Sequence, residues 1–195
     1  MTNMSKQIVF AALFCVTVLL FTGIVAAEPV LLRADSGKNV TEMNTTLHFF
    51  DLGVGKAVKL TAPSQNWKIQ AVLIPGTDGW NETQAELPAA RTIAVEIRDS
   101  DFNLLYHWSD IQLEYFTFPA GLGVARIEVP SVTVNGDFYI VLYERGAVMT
   151  FAELDNVKDQ SFIFDRSTGN LYRGVLPVGN NETIPVNWVI WAVGE

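Results

Sequence analysis

From Leu47 to Val193 apolar and polar residues alternate in short runs instead of recurring every three or four positions. Val58 and Leu60 alternate with Lys59 and Thr61, Ile93, Val95 and Ile97 with Thr92, Ala94, Glu96 and Arg98, and Ile127 and Val129 with Arg126 and Glu128. A period of two puts successive side chains on opposite faces of an extended chain, so these runs predict half-buried strands. Three further runs, Trp67 to Ile74, Asp137 to Tyr143 and Val186 to Val193, are apolar at both phases and predict central strands covered on both sides. No stretch carries the apolar stripe of a long amphipathic helix.

Turn residues punctuate the runs at Pro75-Gly76, Asp78-Gly79, Asp99 to Asn103, Gly121 to Gly123, Asn135-Gly136, Ser167 to Gly169 and Gly179-Asn180. Eight to ten short strands without helices for parallel crossovers predict an all-β, antiparallel, two-sheet jelly-roll-like β-sandwich. A closed barrel is the alternative. Edge strands of an open sandwich would offer unpaired backbone to a partner chain.

Ahead of the alternating region, Lys6 precedes an apolar run from Ile8 that ends in Val25-Ala26-Ala27 before Glu28-Pro29. This is the pattern of a secretory leader, expected as a hydrophobic helix over residues 1–27 with cleavage after Ala27. If uncut, the same run is long enough to be an N-terminal membrane anchor. Cys15 follows Phe14 in mid-leader, where no lipid attachment signal exists. Residues 28–46 read as a polar surface segment and 47–195 as the sandwich domain. In either case the domain lies outside the cytoplasm, secreted or anchored at the cell surface.

The 195 residues fit one domain. Thirteen basic residues against 21 acidic ones give a formal charge of -8, or -9 once Lys6 leaves with the leader. With no Lys/Arg cluster, nucleic acid is excluded as a partner. Cys15 is the only cysteine, so the mature chain has no disulfide and must hold together by apolar burial. At this size roughly 70% of the unfolded surface is buried, which suffices. Asn39, Asn44, Asn81 and Asn181 each begin an Asn-x-Thr acceptor pattern and are the glycosylation candidates.

Candidate chemistry is sparse. His48 lies in an aromatic strand and His107 between Tyr106 and Trp108, and neither has the spacing of a zinc pair or a Gly-x-Ser-x-Gly elbow nearby, so both are expected to be structural. Glu96, Glu114, Glu128 and Glu144 supply carboxylates, but Glu96 and Glu128 occupy the polar phase of alternating strands, where a solvated face is expected. Asp99, Asp101 and Asn103 place oxygen ligands at alternate positions before Asp110, as a calcium loop would. Leu104 stands where the sharp turn needs glycine, so a hairpin turn is the expectation and the metal reading stays weak. Asp155, Asp159 and Asp165 read as a solvated connection. Trp80 sits in a polar loop, as either a plug or a sugar-stacking platform, and with Trp108 and Tyr106 forms the ligand-binding candidate set. Trp67, Trp188 and Trp191 read as strand packing. No catalytic residue, cofactor or enzyme activity is expected.

The segments Ala57 to Pro63, Trp67 to Ile69, Val95 to Asp99, Val134 to Ile140, Ser161-Phe162 and Asn187 to Ile190 together resemble a β-sandwich domain of uncharacterised secreted or membrane-anchored archaeal and bacterial proteins. There it often stands as a tail module beside other extracellular domains. Trp191 and Phe102 depart from the commoner pattern, which has Arg or an aliphatic residue at the first position and glycine at the second. The resemblance implies a fold and a location and carries no catalytic residues. The expected function is a non-catalytic envelope module with a structural, adhesive or interaction role and a glycan or envelope-protein partner. A membrane contact follows if the leader is retained. A carbohydrate or small-ligand module using loop aromatics is the alternative.

Overall fold

The computed structural model describes residues 28–50, 53–79, 90–112, 123–179 and 182–195. The leader, its expected helix and the cleavage position at Ala27 lie outside them. The described strands are β1 (Val30–Arg33), β2 (Thr45–His48), β3 (Val54–Thr61), β4 (Trp67–Thr77), β5 (Arg91–Arg98), β6 (Leu104–Gln112), β7 (Gly123–Val134) and β8 (Asp137–Gly146). They continue with β9 (Met149–Glu153), β10 (Ser161–Asp165), β11 (Asn170–Arg173), β12 (Val175–Gly179), β13 (Glu182–Pro185), β14 (Asn187–Trp188) and β15 (Trp191–Gly194). Among the described residues the helical content is a single 3₁₀ turn at Val40–Glu42.

The protein is all-β and its sheets are antiparallel. A six-stranded sheet runs β11-β10-β3-β8-β5-β6. A seven-stranded sheet runs β1-β15-β4-β9-β14, with β7 on β4 and β2 on β9, and β12 and β13 form a separate hairpin. Pairing is nested along the chain: β3 with β10, β4 with β9 and β5 with β8.

The alternation in the sequence explains the core. Val58 and Leu60 from β3, Ile93, Val95 and Ile97 from β5, and Phe138, Ile140 and Leu142 from β8 share one cluster with Trp67, Ile69, Val72 and Ile74 from β4 of the other sheet. The register shift between Ile69 and Ala71 turns the strand by one residue. Trp67 and Ile69 before it, and Val72 and Ile74 after it, therefore reach the same core. Trp67 packs on Phe138 of the facing sheet with ring centroids 5.9 Å apart, and Trp188 donates from Nε1 to the Phe162 carbonyl at 2.7 Å, tying the sheets together. Each large side chain so buried contributes about 1.5–3 kcal/mol.

The segment 28–46, expected as a polar surface segment, contributes β1, paired with β15, and β2, which begins at Thr45 and pairs with β9. Its few apolar residues explain the difference. Val40 and Met43 cover Phe151, Val189 and Trp191 on the outward side of the seven-stranded sheet. Arg33 lies 4.3 Å over the Trp191 ring, and Trp191 Nε1 donates to Asp35 Oδ2 at 2.5 Å. A large ring at position 191 is thus matched by a strap that shields it.

Candidate functional site

The outward face of the six-stranded sheet carries the densest polar constellation. Register places Glu96 of β5 between Val141 of β8 and His107 of β6, with Tyr143 beside Ala94. Because Val95 and Ile97 face the core, Glu96 and Arg98 face outward. Glu96 was expected to be solvated, yet its side chain is only 2% exposed. The cause is cover from the turn after β5. Phe102 adopts φ 66 and folds its ring against Phe164 (4.8 Å) and Tyr139 (5.2 Å), making a second apolar layer outside the sheet.

A carboxylate buried this way needs partners at both oxygens. Arg98 donates to Glu96 Oε2 from Nε at 2.9 Å and approaches it with Nη2 at 2.8 Å. The Tyr143 hydroxyl donates to the same oxygen at 3.2 Å, and His107 Nδ1 lies 3.3 Å from Oε1. Arg98 also donates to the Phe102 carbonyl at 2.9 Å, with its guanidinium 4.7 Å over the Phe102 ring. Burial, reinforced by the adjacent Glu96, pushes the Tyr143 phenol well above its usual range, so it stays a donor. Gly55 of β3 makes the arrangement possible: a Cβ there would stand 2.6 Å from Val141 Cγ1 and 3.0 Å from Tyr143 Cε1.

Beside this cluster opens a cavity of about 250 Å³. Gly53, Ile93 and Ala94 line it, together with His107, Ser109, Tyr143 and Glu144 and the exposed Arg145 and Arg166. Glu96 stands 3.3 Å from His107 Nδ1, on the side where an acyl-transfer triad has its acid. Ser109 Oγ, on the same face of β6, makes no hydrogen bond to that ring among the described residues. The cavity offers cations and hydroxyls for recognition.

A second constellation lies between the sheets. Lys56 is in phase with Val58 and Leu60, Glu144 with Ile140 and Leu142, and Thr150 of the facing sheet with Ala152, so all three point inward. Lys56 Nζ donates to Glu144 Oε1 at 2.9 Å, Thr150 Oγ1 at 2.7 Å and the His48 carbonyl at 2.5 Å. Thr150 donates to Glu144 at 2.5 Å. The side chains of Lys56 and Glu144 are 0% and 2% exposed. Burial lowers the Lys56 affinity for its proton, and Glu144 restores part of it. The His48 ring stacks near Trp188 and meets Phe50 edge-on, 4.6 Å away. Burial first, then the Lys56 charge, lower its pKa to about 4. With all three ammonium donors used and no solvent access, this triad is a clamp between sheets.

The ligand-binding candidates do not converge on either constellation. Tyr106 and Trp108 pair with Ile97 and Val95 and so share the core-facing side of edge strand β6. Tyr106 packs on the core, and Trp108 is 40% exposed at its margin. Trp80 lies outside the described residues, as do Glu114, Asn81 and Asn181. Asn39 and Asn44 are exposed. The Asp99 carboxylate accepts from the backbone of Asp101 (2.9 Å) and Asn103 (2.8 Å) and from Asn103 Nδ2 (3.0 Å). The Asn103 side chain foremost holds its pKa below the usual carboxylate range. Among the described residues no group of three or more His, Cys, Asp or Glu could hold a metal ion. Glu96 and Glu144 point to opposite faces of their sheet, and Glu128 is exposed and paired with Arg126 at 2.5 Å.

Lys56, Thr150, Arg145 and Arg166 escaped sequence reasoning. For Lys56 a signal existed: a lysine in phase with Val58 and Leu60 breaks the alternation and requires a buried partner. No family model matches the chain, and no curated protein matches it.

Proposed function

We propose that the chain is a non-catalytic module of the cell exterior with a structural, adhesive or interaction role, built on a jelly-roll-like sandwich and exported by its apolar leader. The observation that carries this reading is the fate of the buried carboxylates. Asp35 meets Arg33 and Trp191, Asp78 lies 3.6 Å from Arg91, Glu96 meets Arg98, Glu144 meets Lys56, and Glu153 accepts from Ser36 and Asn187. Each is engaged by groups of the chain itself, in contacts that hold sheets and straps together. The nested strand pairing supports the jelly-roll-like topology. The exposed Asn39 and Asn44 suit a glycosylated exterior chain, and the segment resemblance supports the tail-module family.

The test is intact-mass analysis of membrane, secreted and cytosolic fractions of the native cell. Recovery in the first two, beginning at Glu28 or with the leader retained, is expected. Recovery in the cytosol overturns export, and ester hydrolysis abolished by Ser109→Ala overturns the non-catalytic reading. Small-ligand binding is the second reading, favoured by the cavity beside His107 and Tyr143 rather than by loop aromatics.

A further inference from the structure

The cavity on the outward face of the six-stranded sheet points to a ligand class, and we propose that it binds a carboxylate-bearing sugar ring, a uronic acid in kind. The inference rests on the reading of the chain as a recognition module.

Charge is the first argument. The chain carries 21 acidic residues against 13 basic ones, yet Arg98, Arg145 and Arg166 gather around this face. Among the described residues three acids lie near. Glu96 is already met by Arg98, Tyr143 and His107, and Glu144, which also lines the cavity, has its carboxylate held between the sheets by Lys56. The neighbouring Asp165 accepts from both the backbone and the hydroxyl of Ser167. Arg166 is exposed, lies 5.8 Å over the Tyr143 ring and forms no ion pair among the described residues. Its planar fork suits a carboxylate, which it can meet with two parallel hydrogen bonds. Arg145 lines the same cavity.

Size and lining select the rest of the ligand. About 250 Å³ is below the roughly 300–1,000 Å³ of sites for drug-sized molecules, leaving room for a single ring. Ser109 brings a hydroxyl that can both donate and accept, and Ala94 and the Tyr143 ring supply an apolar wall for the sugar's carbon face. A bare inorganic anion would leave that wall without a partner, and a neutral sugar would leave Arg166 without one.

The experiment is a two-dimensional amide NMR titration of the folded protein at low ionic strength with D-glucuronate, D-glucose and a galacturonate oligomer. Arg166→Gln is run alongside, with unchanged circular dichroism as its folding control. Saturable glucuronate shifts confined to residues near Ala94, His107, Tyr143 and Arg166, none with glucose, and at least tenfold weaker binding in Arg166→Gln are expected. Tighter binding of the oligomer assigns the source as a polysaccharide; equal affinity assigns a free sugar acid, and both support the site. No saturable shift with glucuronate, equal binding of glucose, or unchanged affinity in Arg166→Gln overturns it. A silent titration leaves export and the non-catalytic role intact, since those fail only by cytosolic recovery or turnover.

Discussion

Lys56 offers the sharpest perturbation, because its ammonium sits between the sheets with no exposed side-chain surface and is balanced chiefly by one carboxylate. Lys56→Met keeps the apolar stem but leaves Glu144, 2% exposed, with only the Thr150 hydroxyl as donor. Removing one partner of a buried pair costs about 3–5 kcal/mol, because the surviving charge stays desolvated. For a domain of this length each kcal/mol moves Tm by about 2–4 °C, so the loss is roughly 6–20 °C. The triple variant Lys56→Met, Glu144→Leu, Thr150→Val removes every side-chain polar atom of the clamp with similar volume. It is expected within about 1 kcal/mol of the parent, or above it, because no desolvated charge remains. Urea unfolding monitored by tryptophan fluorescence, with m-values compared for all variants, is the assay. A single variant losing less than about 1 kcal/mol, or a triple variant as unstable as the single, would refute the reasoning.

Three further outcomes are expected. Gly55→Ala drives a Cβ into Val141 and the Tyr143 ring and costs about 1–3 kcal/mol by thermal unfolding; an unchanged Tm would show that this face is not close-packed. Phe102→Gly relieves a left-handed backbone (φ 66) but removes the ring that covers Arg98 and Phe164. It is expected to destabilise by about 1–2 kcal/mol net, since the lost packing outweighs the relieved strain; a gain in stability on urea unfolding contradicts this. His48 titrates at about 4 in the folded chain instead of 6.5, as a proton NMR titration of its ring would record. The unfolded chain takes up that proton at higher pH than the folded one, so the His48 contribution to stability is full above pH 6.5 and is lost as pH falls towards 4.

Much of the fold was legible because a period of two leaves a plain trace. The inward sets of β3 and β5 are the alternating residues of the sequence, the double-sided apolar run of β8 is covered on both faces, and that of β4 is explained by a bulge that switches phase. What could not be read is what lies outside a sheet. Glu96 stands at a polar phase and is buried because Phe102, Arg98 and Tyr143 close over it, a cover set by the turn after β5 and by neighbouring strands. The Lys56 clamp joins residues from β3, β8 and β9, and only its phase error was local. Residues 28–46 looked like a solvated leader-to-domain segment because strap contacts such as Asp35 with Trp191 span 156 positions. Arg145 and Arg166 line one cavity only because β8 and the turn after β10 end at the same margin.

The account turns on strand register, because a slip of one residue in β5 or β6 would send Glu96 or His107 into the core and dissolve the site. Cross-strand nuclear Overhauser contacts on the isotope-labelled protein measure that register directly. The account predicts contacts linking Glu96 to both Val141 and His107, and Ala94 to Tyr143. Contacts displaced by one residue, pairing Glu96 with Leu142 or Tyr106, would contradict it.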